Sequence, residues 1–261
     1  MWIIDWLPAI GLALFAAMVA CLEIGFRVGL RRGAKPAGDT DDGVGAIEAA
    51  VYALLGLILA FSFSGAMTRF ENRRAMIVQE ANAIGTAWLR IDLLPETDQP
   101  AIRELFREYT DSRIAVFADN RTVEDVLREI DRGNALQGRI WSKAVAALKT
   151  EGAVPPAVVQ IFPALNEMID ITTTRKVAMF THIPGLILWL QVAITLISAL
   201  LAGYALSKRR KGVRNWFIMV MYALVVSFTM YVVLDLEYPR VGLITLESTD
   251  QVLLEVRESM R

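Results

Sequence analysis

The sequence predicts an all-α integral membrane protein in which a helical extramembrane domain is inserted between the second and third of four transmembrane helices. Of the 261 residues, 55% are hydrophobic, and the mean hydropathy of +0.43 exceeds that of an ordinary soluble domain. Four runs without charge each approach the length that a bilayer requires, at residues 6–22, 49–68, 183–207 and 215–234. Because lipid offers no hydrogen-bond partner to a bare backbone, each run should be helical.

These runs divide the chain into four parts. The first transmembrane pair, in residues 1–68, has helices at about 2–30 and 49–68, and the second pair, in residues 182–236, has helices at about 184–207 and 214–234. The extramembrane domain covers residues 69–181, and residues 237–261 form an extramembrane tail with a short amphipathic helix. The net charge of -1 hides a segregation, because nearly all charged residues lie between the runs or at the ends.

The first run is predicted to be a retained helix and not a signal peptide. It lacks a basic leading region, since the acidic Asp5 precedes it and the basic residues follow it. Trp2 and Trp6 are placed as anchors at the membrane interface. Glu23 lies one turn before Arg27, and we expect an ion pair between them rather than a functional intramembrane acid.

The second helix is predicted to continue beyond the membrane. Residues 49–92 contain no Pro, and helical spacing persists from their apolar half into a charged half that begins at Arg69. One long helix therefore leaves the bilayer and becomes the first helix of the extramembrane domain. Residues 93–95, with Pro95, end it.

Three further helices complete the predicted domain. Asp98 and Pro100 mark the start of one helix, and Thr122 is an N-cap for the next. A third helix covers residues 157–180, with Pro163 as a site for a kink, and the tail helix covers residues 248–260.

The basic residues of two short loops predict the orientation. The first loop holds Arg27, Arg31, Arg32 and Lys35, and the second holds Lys208, Arg209, Arg210, Lys211 and Arg214. The positive-inside rule places both loops in the cytoplasm. Residues 69–181 and both termini then share the periplasmic side of a bacterial inner membrane.

The residue inventory argues against an enzyme. The chain has one His, one Cys, no glycine-rich phosphate loop and no cluster of metal ligands, so we expect neither cofactor nor metal. It has no basic stripe interleaved with aromatic residues, so we expect no nucleic-acid partner. Cys21 is interpreted as a small buried hydrophobe, and residues 172–174 as a helix face making local backbone bonds. His182 is an interfacial polar residue, with a pH-sensing gate as the alternative.

The long helix carries two stripes of interest. Gly56, Ala60 and Ser64 lie four residues apart, which favours close packing against another helix. If identical chains surround an axis and turn a neighbouring face of this helix toward it, the pore passes a ring of hydroxyl groups and then rings of Arg side chains. Rings of Arg favour anions, and Phe61 or Phe63 would form an apolar constriction. The candidate pore-lining residues are Phe61, Ser62, Phe63, Ala66, Arg69 and Arg73.

Ion pairs between helices are the alternative role for the same basic residues. The second and fourth helices run in the same direction, so acidic residues at the end of the fourth leave the bilayer at the level of Arg69 and Arg73. Pairing there would hold the helices together without conduction. The candidates for such pairs, or for an acidic outer mouth, are Arg74, Glu80, Asp235 and Glu237. The sequence leaves the choice between pairing and pore lining open.

Two blocks of the sequence resemble the bestrophin-like family of bacterial and plant membrane proteins. They are residues 60–95 and residues 234–260, and the similarity extends over nearly the whole chain. The most specific positions are Arg69, Arg73, Glu80, Ala81, Asn82 and Arg90 in the first block, and Asp235, Glu237, Pro239 and Gly242 in the second.

The resemblance implies a likeness to bestrophins, which are pentameric anion channels with four membrane helices per chain and a pore lined by the second helix. A homo-oligomer is therefore expected, with a pentamer as the implied number. Two features depart from bestrophins. They keep the large helical part in the cytosol, whereas the positive-inside rule places it outside here. This sequence also has no match to their hydrophobic neck or acidic calcium clasp, so calcium gating is not implied.

The predicted function is an oligomeric ion channel of the bacterial inner membrane that conducts anions. Its partners would be the lipid bilayer, other copies of the chain and small inorganic ions. One alternative is a cation channel whose outer mouth is acidic from Asp235 and Glu237. Another is a non-conducting membrane scaffold whose outer helical domain binds a partner protein.

Overall fold

The structure, a computed structural model, describes residues 7–31, 42–117, 122–149, 155–209, 215–239 and 242–261. Within them the chain forms eight α-helices, a short 3-10 helix at Ile91–Leu93 and no strand, which confirms the all-α class. The α-helices are α1 (Leu7–Arg31), α2 (Asp42–Arg90), α3 (Gln99–Val116), α4 (Val123–Ala147), α5 (Pro155–Phe180), α6 (Gly185–Arg209), α7 (Trp216–Glu237) and α8 (Glu247–Ser259). The predicted anchors Trp2 and Trp6 lie outside the described residues, as do most residues of the two basic loops.

The chain divides into two compact units. The membrane unit contains α1, α6, α7 and α2 up to Phe70, and the helical unit contains α2 from Glu71 with α3, α4, α5 and α8. Four segments of the described residues are long and apolar enough to cross a membrane, and α6 holds the uncharged part of the third. These segments are Leu7–Arg31, Gly45–Leu93, Ala157–Ser207 and Trp216–Glu237. The prediction of four transmembrane helices is confirmed.

The second helix, α2, continues from its apolar half into its charged half without a break, as predicted, and is 49 residues long. At the helical rise its length is about 70 Å, more than twice the hydrocarbon thickness of a bilayer. It ends where Ile91–Leu93 tightens into a 3-10 turn and Leu94 takes an extended conformation. That change suits the residue before Pro95, because a proline ring disfavours the helical conformation of its predecessor.

Three helices extend beyond the approximate bounds predicted for their transmembrane segments. α2 begins at Asp42 rather than at residue 49, so part of the expected connection between the first two helices is helical. α6 continues through Arg209, and α7 continues through Asp235 to Glu237. The uncharged runs mark the hydrocarbon layer, and a helix continues past that layer wherever the next residues tolerate helical geometry.

Glycines allow the backbones of α1 and α6 to touch. A Cβ on Gly25 would lie 2.0 Å from the carbonyl oxygen of Leu200, and a Cβ on Gly203 would lie 2.0 Å from the carbonyl oxygen of Leu22. α1 packs mainly against α6 and then against α7. Small residues at a crossing are the usual means of helix association in lipid, where the hydrophobic effect between helices is weak.

The predicted small-residue stripe of α2 is exposed in the chain. Gly56, Ala60 and Ser64 are all exposed, and no atom lies within 4 Å of a Cβ built on Gly56. The packed side of α2 is the one with Leu55, which joins a core cluster with Met18 of α1 and other residues of α6 and α7. The stripe is therefore available to lipid or to another copy of the chain.

The helical unit has an apolar core of its own. Fully buried side chains come from four helices, with Ile84 on α2, Phe106 and Tyr109 on α3, Ile140 on α4 and Met168 on α5. Burial and the nearby charges of this unit raise the pKa of Tyr109 above its usual value, so its phenol stays neutral. Each helix thus contributes an amphipathic face, as the spacing of apolar residues predicted.

Hydrogen bonds and an ion pair hold the start of α4 and the tail helix α8 in this unit. Thr122 caps α4, because its hydroxyl accepts a hydrogen bond from the Asp125 backbone N–H in a capping box. The tail helix α8 is held by Arg257, whose Nε lies 2.6 Å from Asp111 Oδ1 on α3. The backbone oxygen of Met260 accepts a hydrogen bond from Arg107 Nε at 2.9 Å.

We expect Gly203→Ala to destabilise the fold. Its new methyl group would meet the backbone of α1, which cannot move aside as a flexible side chain can, and such overpacking costs about 1–3 kcal/mol. Gly56→Ala is the matched control, because the site is open and replacing a helix-interior Gly gains about 0.5–1 kcal/mol. Thermal unfolding in detergent, followed by far-UV circular dichroism, measures both. Equal melting temperatures for the two variants would contradict the backbone contact.

Candidate functional site

The predicted pore-lining residues lie on two sides of α2. Ser62 and Ala66 are buried, at 9% and 0% exposure. Phe61 and Phe63 are exposed, at 68% and 43%. Within one chain, the hydroxyl face therefore packs inward and the aromatic rings point outward.

Where the membrane-crossing part of α2 ends, Arg69 forms an ion pair with Glu237 of α7. The Arg69 Nη2 atom lies 2.9 Å from Glu237 Oε2, and Nε donates to both carboxylate oxygens at 3.1 and 2.9 Å. The backbone N–H of Ile183 donates to Glu237 Oε1 at 2.9 Å. Glu237 is only 1% exposed, so this charge-assisted pair joins α2, α7 and the residues before α6 through one buried carboxylate.

His182 lies beside the same carboxylate. Its Nδ1 is 3.5 Å from Glu237 Oε1, and its ring stacks on Tyr238 with 4.7 Å between ring centroids. The residue predicted to be an interfacial polar group thus lies against a buried carboxylate.

Asp235 organises the chain that follows α7. Its carboxylate accepts hydrogen bonds from the backbone N–H groups of Leu243, at 3.0 and 3.1 Å, and of Ile244, at 3.0 Å. A Cβ on Gly242 would lie 1.3 Å from Asp235 Oδ1, so only glycine allows the backbone this close. Asp235 is 1% exposed, and its carboxylate is engaged within the chain.

The next two basic residues of α2 have different partners. Arg73 donates from Nε and Nη2 to the carbonyl oxygens of Ala178 and Thr181, at 3.3 and 2.9 Å, where α5 ends and its last carbonyl groups lack helical partners. Arg74 forms an exposed pair with Glu71 at 3.2 Å. The three arginines at this end of α2 therefore each have a separate role in local structure.

Glu80 is the centre of a buried charge cluster in the helical unit. It is fully buried, and it forms ion pairs with Arg113 of α3 and Arg175 of α5. The second nitrogen of Arg113, Nη2, lies 3.4 Å from Glu80 Oε2. Burial alone would lower the pKa of the Arg113 guanidinium, but the adjacent Glu80 carboxylate outweighs burial and raises it. Glu80 was a candidate for pairing, and the sequence did not identify either arginine as its partner.

A line of polar side chains runs through the interior of the membrane unit. The Tyr222 hydroxyl donates to Ser198 Oγ at 2.8 Å, and Ser198 Oγ donates to the carbonyl oxygen of Thr195 at 2.7 Å. Both amide atoms of Gln191 and the Thr195 hydroxyl are buried without a hydrogen-bond partner in the described part of the chain. Buried polar groups of this kind are normally satisfied by internal water. The signal for this line, a Gln inside an uncharged run, was present in the sequence and was overlooked.

Cys21 and two threonines of residues 172–174, which are among the other side chains considered for a chemical role, make structural contacts. Cys21 is half-buried and packs against the core cluster of the membrane unit. Thr172 and Thr174 donate to the backbone oxygens of Ile169 and Asp170. No group of three or more His, Cys, Asp or Glu residues could hold a metal ion in the described ranges.

A family model described as a bestrophin-like domain matches residues 12–250, from the first turns of α1 to the start of α8. The chain belongs to the bestrophin-like family. The resemblance seen in the sequence is thereby confirmed over nearly its full length. A search of curated proteins gave no match.

Solved structures show the same fold as this bestrophin-like chain. One variant of a bacterial bestrophin homologue from Klebsiella pneumoniae is 12% identical, with 98% of this chain and 99% of that chain covered and a TM-score of 0.70. A second variant is 13% identical, with coverage of 95% and 97% and a TM-score of 0.68. A structure described as a membrane protein is 13% identical, with coverage of 97% and 98% and a TM-score of 0.69.

We expect Arg69→Gln to lower the free energy of unfolding by about 3 kcal/mol, because it leaves the Glu237 carboxylate buried without its guanidinium. Adding Glu237→Gln should restore part of the loss, since the two residues are coupled. Arg74→Gln is the control: its pair with Glu71 is exposed, and losing such a pair costs at most about 1 kcal/mol. Denaturant unfolding in detergent micelles measures the wild type, Arg69→Gln, Glu237→Gln, their double variant and Arg74→Gln. Strictly additive losses in the double variant would disprove the coupling.

Proposed function

We propose that this bestrophin-like chain assembles around an axis into a homo-oligomeric ion channel, with α2 lining the pore and a pentamer as the number that the resemblance implies. The observation that carries the proposal is the exposure of α2. Only 11% of the residues in its most apolar part are buried, against 22% in α1, 28% in the segment with α6 and 33% in α7. A helix that is so little covered within its own chain is the one best placed to face other copies.

The exposed side of α2 defines the proposed pore surface. Ala60 and Ser64 lie one turn apart on it, and the exposed rings of Phe61 and Phe63 lie beside them. Small residues would leave a lumen between the copies, and an aromatic ring would form an apolar constriction that gates by dewetting. The proposed lining therefore shifts from Ser62 and Ala66, which are buried in the chain, to Ala60 and Ser64.

Anion preference is the second part of the proposal. The acidic residues that would favour cations, Asp235 and Glu237, are each 1% exposed and hold backbone N–H groups or Arg69. Their engagement within the chain supports an anion pathway over an acidic outer mouth. Arg69 and Arg73 are the proposed attracting residues. Arg73 is the better residue for a test, because changing Arg69 also breaks the pair with Glu237.

Ion flux from liposomes that contain the purified protein tests conduction and selectivity together. Under asymmetric chloride, we expect the reversal potential to lie near the chloride equilibrium potential. Arg73→Gln should move it toward the cation potential, because one positive charge per subunit is lost from the mouth. Ala60→Leu should reduce the flux severalfold by narrowing the lumen.

Ala16→Leu is the matched control, because Ala16 is an exposed alanine in the membrane-crossing part of α1. It should leave the flux unchanged. Equal effects of the two leucine variants would remove the exposed side of α2 from the pore. Unchanged selectivity in Arg73→Gln would remove Arg73 from the anion pathway. Absence of flux from a folded oligomer, over a range of pH and voltage, would favour the non-conducting scaffold.

A path inside each protomer is the competing location. The buried polar line from Gln191 to Tyr222 supports it, since its unpaired groups call for water in the bilayer interior. Gln191→Leu separates the two locations in the same flux assay. It should leave the flux unchanged if the axis of the oligomer conducts, and abolish it if each protomer conducts.

We further propose that the protein lies in the bacterial inner membrane with the helical unit in the periplasm. The basic residues around the α1–α2 and α6–α7 connections support this orientation. In a Cys21→Ala background, a membrane-impermeant maleimide should label Lys143→Cys in intact spheroplasts. It should label Arg31→Cys only after lysis. Both residues are exposed, so the reversed pattern would place the helical unit in the cytosol.

A further inference from the structure

We infer that a cavity in the helical unit is a binding site for a small organic anion that carries a carboxylate or phosphate group. The cavity has a volume of about 160 Å³ and lies between α3, α4 and α5. Its polar lining includes Arg113, Arg175, Lys176, Asn134 and Thr173. No carboxylate of the described residues lines it. This inference does not depend on conduction by the membrane unit.

The charge around the cavity is unbalanced. Arg113 and Arg175 share a single carboxylate, that of Glu80, and Lys176 adds a third positive charge. Asp250 of α8 also interacts electrostatically with Arg175. Three positive charges against two negative ones leave an excess of one. The excess charge is that of Lys176, which is exposed, whereas the two guanidiniums are more than nine-tenths buried and are matched by Glu80 and Asp250. An anion in the cavity would pair with Lys176 and accept hydrogen bonds from guanidiniums that water screens poorly.

Hydrogen-bond donors are available to receive such an anion. The Arg175 guanidinium contacts Glu80 through Nη1, and its Nε and Nη2 groups have no acceptor in the described part of the chain. Arg175 also lies over the Phe117 ring, with 4.0 Å from Cζ to the centroid, and this stacking holds the plane of the guanidinium. A fixed guanidinium with free N–H groups is suited to bidentate contact with a carboxylate or phosphate.

The rest of the lining sets the size and character of the ligand. Val116, Ile130 and Met179 give the cavity an apolar wall beside the arginines. A cavity of about 150 Å³ accommodates benzene, so this one admits a body of about one ring. Apolar walls with a few placed polar groups are typical of small-molecule sites. The expected ligand therefore has an anionic head and a compact apolar body.

Benzoate and phenyl phosphate are suitable probes, with benzyl alcohol as the neutral control. Isothermal titration of the purified full chain at constant ionic strength should show saturable binding of one of the two anions, at one molecule per chain. Benzyl alcohol should bind at least about tenfold more weakly, because it lacks the charge that the guanidiniums attract. The anion that binds with the higher affinity, benzoate or phenyl phosphate, shows whether the site prefers a carboxylate or a phosphate group.

Two variants locate the binding at this cavity. Lys176→Gln should weaken anion binding by about fivefold, the factor expected for one partly exposed charge. Thr173→Phe should abolish binding by filling the cavity from its exposed side, with folding checked by the melting temperature. Lys143→Gln, an exposed lysine of α4 that does not line the cavity, should bind as the wild type does. No saturable binding of either anion, equal binding of benzyl alcohol, or wild-type binding by the folded Thr173→Phe variant would overturn the inference.

Discussion

A lipid bilayer offers the backbone no hydrogen-bond partner, and this constraint requires the apolar runs to be helices. Beyond the hydrocarbon, water can satisfy the backbone, and α2 stays helical because its charged half keeps helical spacing and contains no Pro. Its 49 residues are therefore unbroken. Arg69, Arg73 and Glu80 along this helix each contact different partners.

Three buried carboxylates illustrate how such a chain accommodates acidic groups. Glu80 is held by two guanidiniums, Asp235 by two backbone N–H groups, and Glu237 by one guanidinium and one backbone N–H. Each solution supplies donors to a charge that would otherwise be costly to bury. The same residues were candidates for a charged pore mouth. Their burial changes that interpretation. A carboxylate whose oxygens already accept hydrogen bonds within the chain stabilises the fold, and its charge is not presented to ions at a pore mouth.

The sequence predicted which segments are helical far better than which side of each helix is packed. The fold class, the continuity of α2 and the N-cap at Thr122 each depend on nearby residues, and all three were correct. The packed side of α2 could not be chosen, because its membrane-crossing part is apolar all round. Small residues lie both on its exposed side, at Gly56, Ala60 and Ser64, and on its buried side, at Ser62 and Ala66. Arg113 and Arg175 follow Glu80 by 33 and 95 positions, and no local pattern connects residues at such separations. The glycines of the α1–α6 crossing were visible in the sequence, but their meaning needed the partner helix.

The crossing of α1 and α6 also limits how the membrane unit can rearrange. Where two backbones touch at Gly25 and Gly203, no side chain lies between them that could change rotamer and absorb a shift. Packed interfaces of this kind move as rigid bodies or separate completely. The two helices therefore form one mechanical element, with α7 packed against it. α2 touches that element through long side chains such as Leu55, which can adjust while the backbone tilts. The membrane unit is thus held together by two kinds of contact, backbone against backbone between α1 and α6 and side chain against side chain at α2.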